Sequence, residues 1–262
     1  MTLITLTTDF GLADSYVAVM KGVILGIAPQ ARIVDITHHI APQNVRQAAT
    51  VLQAAVPYFP PHTIHVAVVD PGVGSARRPI AVRTPQAIFI GPDNGLFSIV
   101  LTEANTENLA VLHLDQTAYW LPTVSRTFHG RDIFSPVAAH LAAGAPFESL
   151  GTPITDPVII AISQPSKLHD GAIHGEVVYV DGFGNLISDI PEAWLAGRHW
   201  VLSCAGQEIL GPSQSYASAQ PGELLALISS SGTLEIAVRD GSAAARLRAR
   251  PGEPIQARPS HD

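Results

Sequence analysis

The first seventy residues alternate between strand-like runs and segments with helical periodicity. Residues 3–8, 33–37 and 64–68 are short apolar runs rich in β-branched side chains. Between them, apolar residues recur at helical spacing over residues 16–27 and 44–56. Strands that alternate with helices are typical of βαβ units, so we predict an α/β domain with a mainly parallel central sheet flanked by helices.

The pattern changes in the second half of the chain. Residues 151–167 carry three prolines and little periodicity, which is typical of a domain boundary. Beyond them, short strand-like runs are separated by Gly, Pro and Ser, which predicts an all-β, barrel-like domain. We therefore predict an N-terminal α/β domain at 1–155, a linker at 156–170 and a C-terminal β-barrel domain at 171–262.

Composition narrows the class of protein. With 47% hydrophobic and 14% charged residues, the chain has enough apolar surface for a globular core. A net charge of -7 leaves no basic surface for a phosphate backbone, so nucleic acid is not an expected partner. The single cysteine, Cys204, cannot form an intramolecular disulfide, and no apolar run reaches the length of a membrane span. We expect a cytoplasmic protein without a membrane partner.

The third strand-like run leads into the loop with the strongest functional signal. Asp70 follows the run directly, and Pro71, Gly72 and Gly74 predict a tight loop after it. Polar groups at the carboxyl end of a parallel strand face the crevice in which open α/β sheets bind ligands. Arg77 lies far enough along the loop to fold back beside Asp70. Both residues are site candidates, and the alternative is a turn carboxylate with a surface arginine.

Polar candidates also occur at another strand end and at a helix start. Asp9 ends the first run, where an acidic residue can accept hydrogen bonds from both hydroxyls of a ribose. His129 stands between Phe128 and Gly130 at the entrance to a helix, whose N-terminus favours negative charge. This position favours a functional role for His129.

Asp35, His38 and His39 together suggest a metal site. Adjacent histidines point in different directions on an extended chain, and no His-x-x-x-His or Cys-x-x-Cys motif accompanies them. Hydrogen-bonded histidines where a strand meets a loop are the better interpretation, so we predict no metal site. On local sequence, Asp93 and Asn94 are better explained as turn formers than as ligands.

Five motifs follow one another across both predicted domains. They are Thr8-Asp9-Phe10-Gly11, Asp70-Pro71-Gly72-Val73-Gly74, Gly91-Pro92-Asp93-Asn94-Gly95, Phe128-His129-Gly130-Arg131-Asp132 and Phe183-Gly184-Asn185-Leu186. In this order and spacing, from about residue 3 to about residue 257, the chain resembles the S-adenosyl-L-methionine (SAM) hydroxide adenosyltransferases, relatives of the fluorinating and chlorinating enzymes.

The resemblance implies a fold, an assembly and a reaction. The family fold is an N-terminal α/β domain with a C-terminal β-barrel domain, assembled as a homotrimer with active sites between subunits. The implied reaction is hydrolysis of SAM to adenosine and L-methionine, with SAM as the substrate and no cofactor. The family's catalytic triad falls on Asp70, Arg77 and His129.

Substrate-binding roles carry over from the same family. Asp9 matches the residue that binds the ribose hydroxyls, and Phe183 and Asn185 match adenine contacts. Three further motif residues are expected to bind the substrate: Asn94, Phe128 and Gly130.

The residues expected to bind the methionine end of the substrate match the family less closely. Asp14 and Asp181 fall near family contacts to the methionine ammonium, and Ser230 falls near a contact to its carboxylate. This chain has Gln43 where halogenating relatives have a tryptophan, and Ser231 where they place an arginine against the carboxylate. We therefore expect the methionine carboxylate to be held differently here.

Two other functions compete with hydrolysis. One is a SAM-dependent halogenase of the same fold, although halogenating relatives have a tyrosine at the position of Asp70. A carboxylate about 4 Å from a halide costs on the order of 4 kcal/mol at a surface-like dielectric, which favours neutral water as the nucleophile. The other is a non-catalytic protein that binds adenosine or SAM. For hydrolysis, either His129 or Asp70 could take the proton of the water, because Arg77 cannot be a base.

Overall fold

The structure, a computed structural model, describes residues 2–103, 108–162 and 164–260. The chain forms two compact units, at residues 1–162 and 163–262, and each has its own hydrophobic core. None of the helices in the described part of the chain combines the length and apolar character needed to span a bilayer.

The first unit is built on one seven-stranded sheet with helices on both faces. Its strands are β1 (Leu3–Thr8), β2 (Arg32–Thr37), β3 (Thr63–Val68), β4 (Pro79–Arg83), β5 (Ala87–Pro92), β6 (Ala110–His113) and β7 (Thr152–Pro153). Its helices are α1 (Tyr16–Ile27), α2 (Val45–Ala55), α3 (Ser98–Glu103) and α4 (Ser135–Ala142). A π-helical turn, Gly130–Phe134, leads directly into α4.

The sheet is mixed, so the prediction of a mainly parallel sheet is wrong. Its strand order is β2-β1-β3-β5-β4-β6-β7, and the pairs β1/β2, β1/β3 and β3/β5 are parallel. The pairs β4/β5, β4/β6 and β6/β7 are antiparallel. The cause is local, because only residues 84–86 connect β4 to β5 and a parallel connection needs a crossover of roughly a dozen residues or more.

Alternation along β3 builds a core on each face of the sheet. Val66 and Val68 pack in one cluster with Met20 of α1, whereas Ala67 packs in another with Leu52 of α2. Successive strand residues point to opposite faces, and every residue of β3 is buried. The loop that carries Asp70 therefore starts from a strand held on both sides.

The second unit is a nearly closed, antiparallel, barrel-like sheet, which confirms the prediction for this half of the chain. Its strands are β8 (Ser166–Lys167), β9 (Ile173–Val180), β10 (Leu186–Pro191), β11 (Trp200–Cys204), β12 (Gln207–Gly211), β13 (Leu224–Ile228), β14 (Thr233–Val238) and β15 (Pro254–Pro259). Two short helices, α5 (Glu192–Leu195) and α6 (Ala243–Leu247), lie between strands.

The order of these strands brings the two ends of the sheet together. The order is β12-β11-β15-β9-β10-β14-β13, with β8 paired to β9. Ser213, just after β12, forms a bridge with Leu227 of β13 and so nearly closes the barrel. Cys204 is buried in this core, and burial raises the pKa of its thiol to about 11, so the thiol is unreactive at neutral pH.

Candidate active site

A cavity of about 420 Å³ lies at the carboxyl ends of β1 and β3 in the first unit. This volume is within the range of about 300–1,000 Å³ that is usual for small-molecule sites. Five of the predicted site residues lie on its wall: Asp9, Asp70, Phe128, His129 and Gly130. The other lining residues are Phe10, Tyr16, Pro42, Gln43, Val68, Pro71, Val73 and Thr127.

Arg77 connects Asp70 to His129. Its Nε donates a hydrogen bond to Asp70 Oδ1 at 3.0 Å, and its Nη2 donates to Oδ2 of the same carboxylate. Nη2 also donates to His129 Nδ1 at 2.7 Å. The side chains of Arg77 and Asp70 are only 8% and 5% exposed, so solvent screens this pair little. Arg77 therefore brings the three residues predicted as catalytic together.

Arg77 lies behind the cavity wall. It is not among the lining residues, whereas both of its partners are. Its guanidinium carbon is 5.3 Å from the centre of the Phe134 ring, a cation–π distance that keeps the charge over the core face of the π-helical turn. Arg77 thus fixes Asp70 and His129 relative to each other.

The hydrogen bond from Arg77 determines the tautomer of His129. A guanidinium only donates hydrogen bonds, so Nδ1 of His129 must be the acceptor. A neutral imidazole then carries its proton on Nε2. Protonation of Nδ1 would place two N–H groups against each other and break the bond to Arg77. His129 in this arrangement is a neutral N–H donor and has no free lone pair to act as a base.

The surroundings of His129 keep its ring neutral. Burial lowers the pKa of His129, and the charge of Arg77 lowers it further. The carboxylates of Asp70 and Asp132 and the carbonyl of Ser125 raise the pKa, but by less. His129 is therefore neutral near pH 7, as its hydrogen bond to Arg77 requires.

Gly74 allows the two loops that carry the triad to meet. Its φ is +76°, and a Cβ at this position would lie 2.2 Å from the carbonyl oxygen of Arg126. A side chain there would push the loop that contains Arg77 away from the segment that contains His129. Gly74 is therefore needed for the close packing of the two loops as well as for the turn.

Asp132 anchors the segment that ends at His129. Its side chain is fully buried, and Oδ2 accepts a hydrogen bond from Ser125 N at 2.8 Å. Arg131 Nε donates to Oδ1 at 2.5 Å. Burial would raise the pKa of Asp132, but the bonds from Arg131 and Ser125 outweigh burial and lower it. An ionised Asp132 therefore holds the backbone before His129.

Asp9 reaches the cavity from the end of β1. Its Oδ2 accepts a hydrogen bond from Gln43 N at 2.8 Å, and Gln43 has a φ of 65°. A carboxylate has about four acceptor positions, so this bond leaves Asp9 able to accept from a diol. Gln43, noted above as a departure from the halogenating relatives, therefore contacts Asp9 through its backbone.

Three aromatic rings form one side of the cavity, and the sequence indicated only one of them. Phe128 lies edge-on to Phe10 at 5.8 Å and to Tyr16 at 5.1 Å between ring centres. Tyr16 begins the helical pattern predicted over residues 16–27, yet it is 47% exposed and lines the cavity. Its place at the helix start, seven residues after Asp9, was the signal available in the sequence.

The predicted site residues of the second unit are found in two turns. Asp181, Phe183 and Asn185 form the turn between β9 and β10, where Asp181 Oδ1 accepts from the backbone N of Phe183 and of Asn185, each at 2.9 Å. Asn185 Nδ2 donates to Asp181 Oδ2 at 3.0 Å, and the Phe183 ring is 83% exposed. Ser230 is exposed in the turn between β13 and β14, beside Ser231.

Asp14 and Asn94 do not line the cavity. Asp14 is exposed just before α1, whose N-cap is Ser15, so Asp14 does not cap this helix. Asn94 Nδ2 donates to the carbonyl of Val69 at 2.9 Å, which uses its amide within the fold.

The histidines that suggested a metal have other partners. His38 is buried, with Nδ1 2.9 Å from Thr8 Oγ1 and Nε2 3.1 Å from Asp35 Oδ1. Asp35 also accepts from Lys21 at 2.6 Å, and His39 is exposed. Within residues 2–103, 108–162 and 164–260, no group of three His, Cys, Asp or Glu side chains has the arrangement of a metal site.

Two family models match nearly all of the chain. The SAM hydroxide adenosyltransferase N-terminal domain matches residues 4–151, and the C-terminal domain of the same family matches residues 175–256. The chain belongs to the SAM hydroxide adenosyltransferase family. The resemblance inferred from the five motifs is therefore confirmed.

Two hydrolases match almost the full length of this chain, and a more distant fluorinase matches part of it. A protein named (R)-S-adenosyl-L-methionine hydrolase from Salinispora arenicola is 39% identical over 97% of this chain and 96% of its own. A protein of the same name from Thermus thermophilus is 38% identical over 95% and 96% of the two chains. A fluorinase from Actinoplanes is 28% identical over 72% of this chain and 71% of its own.

A solved structure has the same fold. The crystal structure of an uncharacterized conserved protein from Thermotoga maritima superimposes on this chain with a TM-score of 0.90. It is 36% identical and covers 97% of this chain and 99% of its own.

Proposed function

We propose that this protein hydrolyses SAM to adenosine and L-methionine. The observation that carries the proposal is the contact of Asp70, Arg77 and His129 at the wall of a cavity that also contains Asp9. The names of the full-length relatives support the same reaction. The substrate-binding roles expected for Asp9, Phe128 and Gly130 agree with their positions on the cavity wall.

The chemistry of the substrate explains why a small set of residues suffices. The sulfonium leaves as a neutral thioether, so the leaving group needs no general acid. The attacking water is a weak nucleophile and must approach the ribose 5′ carbon in line with the sulfur. Positioning and activation of this water are therefore the main tasks of the site. For the same reason we propose that the reaction needs neither a metal nor a cofactor.

Asp70 is the group we assign as the base. The tautomer of His129 removes it from this role, since its only N–H is on Nε2 and Nδ1 is bound to Arg77. Asp70 lines the cavity and accepts one bond at each oxygen from Arg77, which leaves further acceptor positions on the carboxylate. The proton of the water passes to Asp70 as the oxygen attacks carbon, while His129 donates from Nε2 to the developing hydroxide.

Asp70 also favours water over a halide. Its negative charge is only partly offset by Arg77, so an anion in contact with it is repelled, whereas neutral water is not. Fluorinases are among the more distant relatives, with lower identity and coverage than the hydrolases. The same fold could also bind adenosine without catalysis, but a binder has no need of a buried charged cluster.

The remaining assignments rest on the family resemblance. We propose that Phe183 and Asn185 bind adenine, and that Asp181, Asp14 and Ser230 bind the methionine end. We also propose a cytoplasmic homotrimer with active sites between subunits, which does not use nucleic acid or membrane as a partner. Light scattering on the purified protein tests the trimer, and a monomer under assay conditions contradicts it.

Chromatography of the products tests the function directly. Purified protein is incubated with SAM in chloride-free buffer prepared with ¹⁸O water, with a His129→Ala variant as control. Equimolar adenosine and methionine, with ¹⁸O in the 5′ hydroxyl, are expected from the wild type only. A 5′-haloadenosine after addition of halide supports the halogenase, and tight adenosine binding without methionine release supports the binder. Loss of turnover with a strong chelator contradicts a metal-independent reaction.

A further inference from the structure

Arg77 and Arg78 are adjacent, but their side chains bind different partners. Arg77 binds Asp70 and His129, whereas Arg78 binds Asp93 and Asp156. Both arginines directly precede β4 at the end of the loop that begins at Asp70. Whatever fixes Arg78 therefore also fixes the backbone of Arg77.

Asp93 binds Arg78 through both side chain and backbone. Arg78 Nε donates to Asp93 Oδ2 at 2.9 Å, and Asp93 N donates to the Arg78 carbonyl at 2.9 Å. The pair extends the β4/β5 hairpin by one step beyond the pairing of Pro79 with Pro92. The Asp93 side chain is only 2% exposed, whereas that of Arg78 is 27% exposed, so the carboxylate is buried and the guanidinium reaches the surface.

The segment 156–160 covers this pair. Val158 N donates to Asp93 Oδ1 at 2.7 Å, and Arg78 Nη1 donates to Asp156 Oδ1 at 2.8 Å. At Gly95, which has a φ of +92°, a Cβ would lie 2.4 Å from the Ile160 side chain. Both oxygens of Asp93 therefore have partners, and the segment packs closely against the end of β5.

The next residue along the chain, Asn94, holds the other end of the loop. Its Nδ2 donates to the carbonyl of Val69 at 2.9 Å, and its Oδ1 accepts from Leu96 N at 3.2 Å. Val69 directly precedes Asp70. Two consecutive residues thus bind the two neighbours of the reactive pair, one beside Asp70 and one beside Arg77.

We propose that Asp93 and Asn94 form a clamp that positions Asp70 and Arg77 for the reaction, with Arg78 as the residue through which Asp93 acts. The proposal rests on the proposed function, because the reaction it serves is SAM hydrolysis. Neither clamp residue lines the cavity, so both act through the loop and are positioning residues. A misplacement of about 1 Å far from the reacting atoms can lower a rate by about 10²-fold, which is how the clamp contributes.

Two variants of the clamp test the proposal in steady-state assays of the full chain. Asp93→Asn places an amide NH₂ against an N–H group, and Asn94→Ala is a milder change that removes the bond to Val69. We expect kcat per adenosine-binding site to fall by about 10- to 100-fold, with KM changed by less than about threefold. The control is Arg83→Gln at the far end of β4, the strand that follows the arginine pair. It removes an exposed pair with Glu148 and should leave kcat unchanged.

The kcat values are normalised to adenosine-binding sites, so loss of folded protein alone does not count as an effect. The proposal is overturned if kcat per site is unchanged in both clamp variants, or if KM rises as much as kcat falls. Absence of SAM turnover in the wild type would instead contradict the proposed function.

The ¹⁵N chemical shifts of the His129 ring test the clamp independently of turnover. The wild type should show a neutral ring with its proton on Nε2, and the clamp variants should show a mixture of tautomers because Arg77 no longer holds Nδ1. Unchanged ring shifts in both folded variants contradict the clamp.

Discussion

The loop after β3 and the turn between β9 and β10 both carry predicted site residues, but they differ in what is left exposed. In the loop, the side chains of Asp70 and Arg77 are almost fully buried and bound to each other. In the turn, Asp181 is bound to its neighbours, yet the ring of Phe183 is 83% exposed. The proposed catalytic groups are held in place before substrate binds. The Phe183 ring, which would stack on adenine, is exposed and can be covered by a ligand.

This difference predicts a division of labour between the two regions. A preorganised charge cluster needs no rearrangement during the reaction, so changes in it should mainly lower kcat. An exposed ring gains contacts only when a ligand covers it, so removal of the ring should mainly raise KM. The following experiments examine this division, from the largest expected effect to the smallest.

Asp70→Asn should cause the largest loss. The amide cannot take a proton from water, and we expect kcat to fall by about 10³-fold while adenosine binding stays within about threefold. Single-turnover kinetics and adenosine titration measure the two quantities. Asp35→Asn is the control, since Asp35 binds Lys21 and lies off the cavity wall. Equal losses of binding and rate in Asp70→Asn would refute its assignment as the base.

Acid should weaken the first unit before the second. Burial lowers the pKa of His65 on β3 to about 4, so the unfolded state binds a proton below pH 6.5 before the folded state does. The contribution of neutral His65 to stability is fully present above pH 6.5. As the pH falls towards 4, the free energy of unfolding of the first unit should decrease by up to about 3 kcal/mol. Hydrogen exchange of each unit as a function of pH measures this, and His65→Gln should flatten the dependence.

The second unit should respond to acid in the opposite direction. Burial raises the pKa of Glu235, although its hydrogen bond from Tyr216 lowers it in part. The folded state therefore takes up a proton at a higher pH than the unfolded state, and the second unit gains stability as the pH falls through the raised value. Parallel loss of protection in both units would contradict this contrast.

Gly74→Ala should separate the two triad loops. The new Cβ meets the Arg126 carbonyl, and we expect kcat to fall by about 10- to 100-fold because the contact between Arg77 and His129 is disturbed. The left-handed backbone adds strain of about 1–2 kcal/mol, measurable by denaturant unfolding. Gly144→Ala is a matched control, with a φ of +104° but open space around its Cβ, and it should lose stability without losing kcat.

Phe183→Ala should have the smallest effect and should act on KM. Stacking of a base on an aromatic ring contributes about 1–3 kcal/mol, so we expect KM to rise about tenfold with kcat nearly unchanged. Tyr58→Ala provides the comparison, because Tyr58 is another aromatic residue that is 80% exposed. A fall in kcat with unchanged KM in Phe183→Ala would contradict the proposal that the loop sets kcat and the turn sets KM.

Much of the fold could be predicted because it followed from local patterns, whereas the triad was implied by the family resemblance. The helices and strands before Asp70 are marked by periodicity, and the short Gly- and Pro-separated runs marked the barrel. The direction of β4 was missed because pairing direction depends on the length of the connection, not on the strand sequence. Apolar runs of this length give the same signal in parallel and antiparallel strands.

The finer details of the site depend on contacts between distant residues. The tautomer of His129 follows from a hydrogen bond to a residue 52 positions away, which no local pattern encodes. Local sequence favoured a turn role for Asn94, but it could not show that the side chain binds the backbone of a neighbouring loop. The place of Tyr16 on the cavity wall was missed, because helical spacing does not distinguish a core face from a cavity wall.

The π-helical turn has a consequence for insertions and deletions. Ser135 N donates to the carbonyl of Gly130, five residues earlier, so this turn holds one residue more than an α-helical turn. Removal of one residue here could restore regular α-helical bonding through α4, whose packing would persist. Each residue advances an α-helix by about 100°, however, so His129 would rotate away from Arg77. The helix could tolerate the shorter sequence, but the catalytic contact could not.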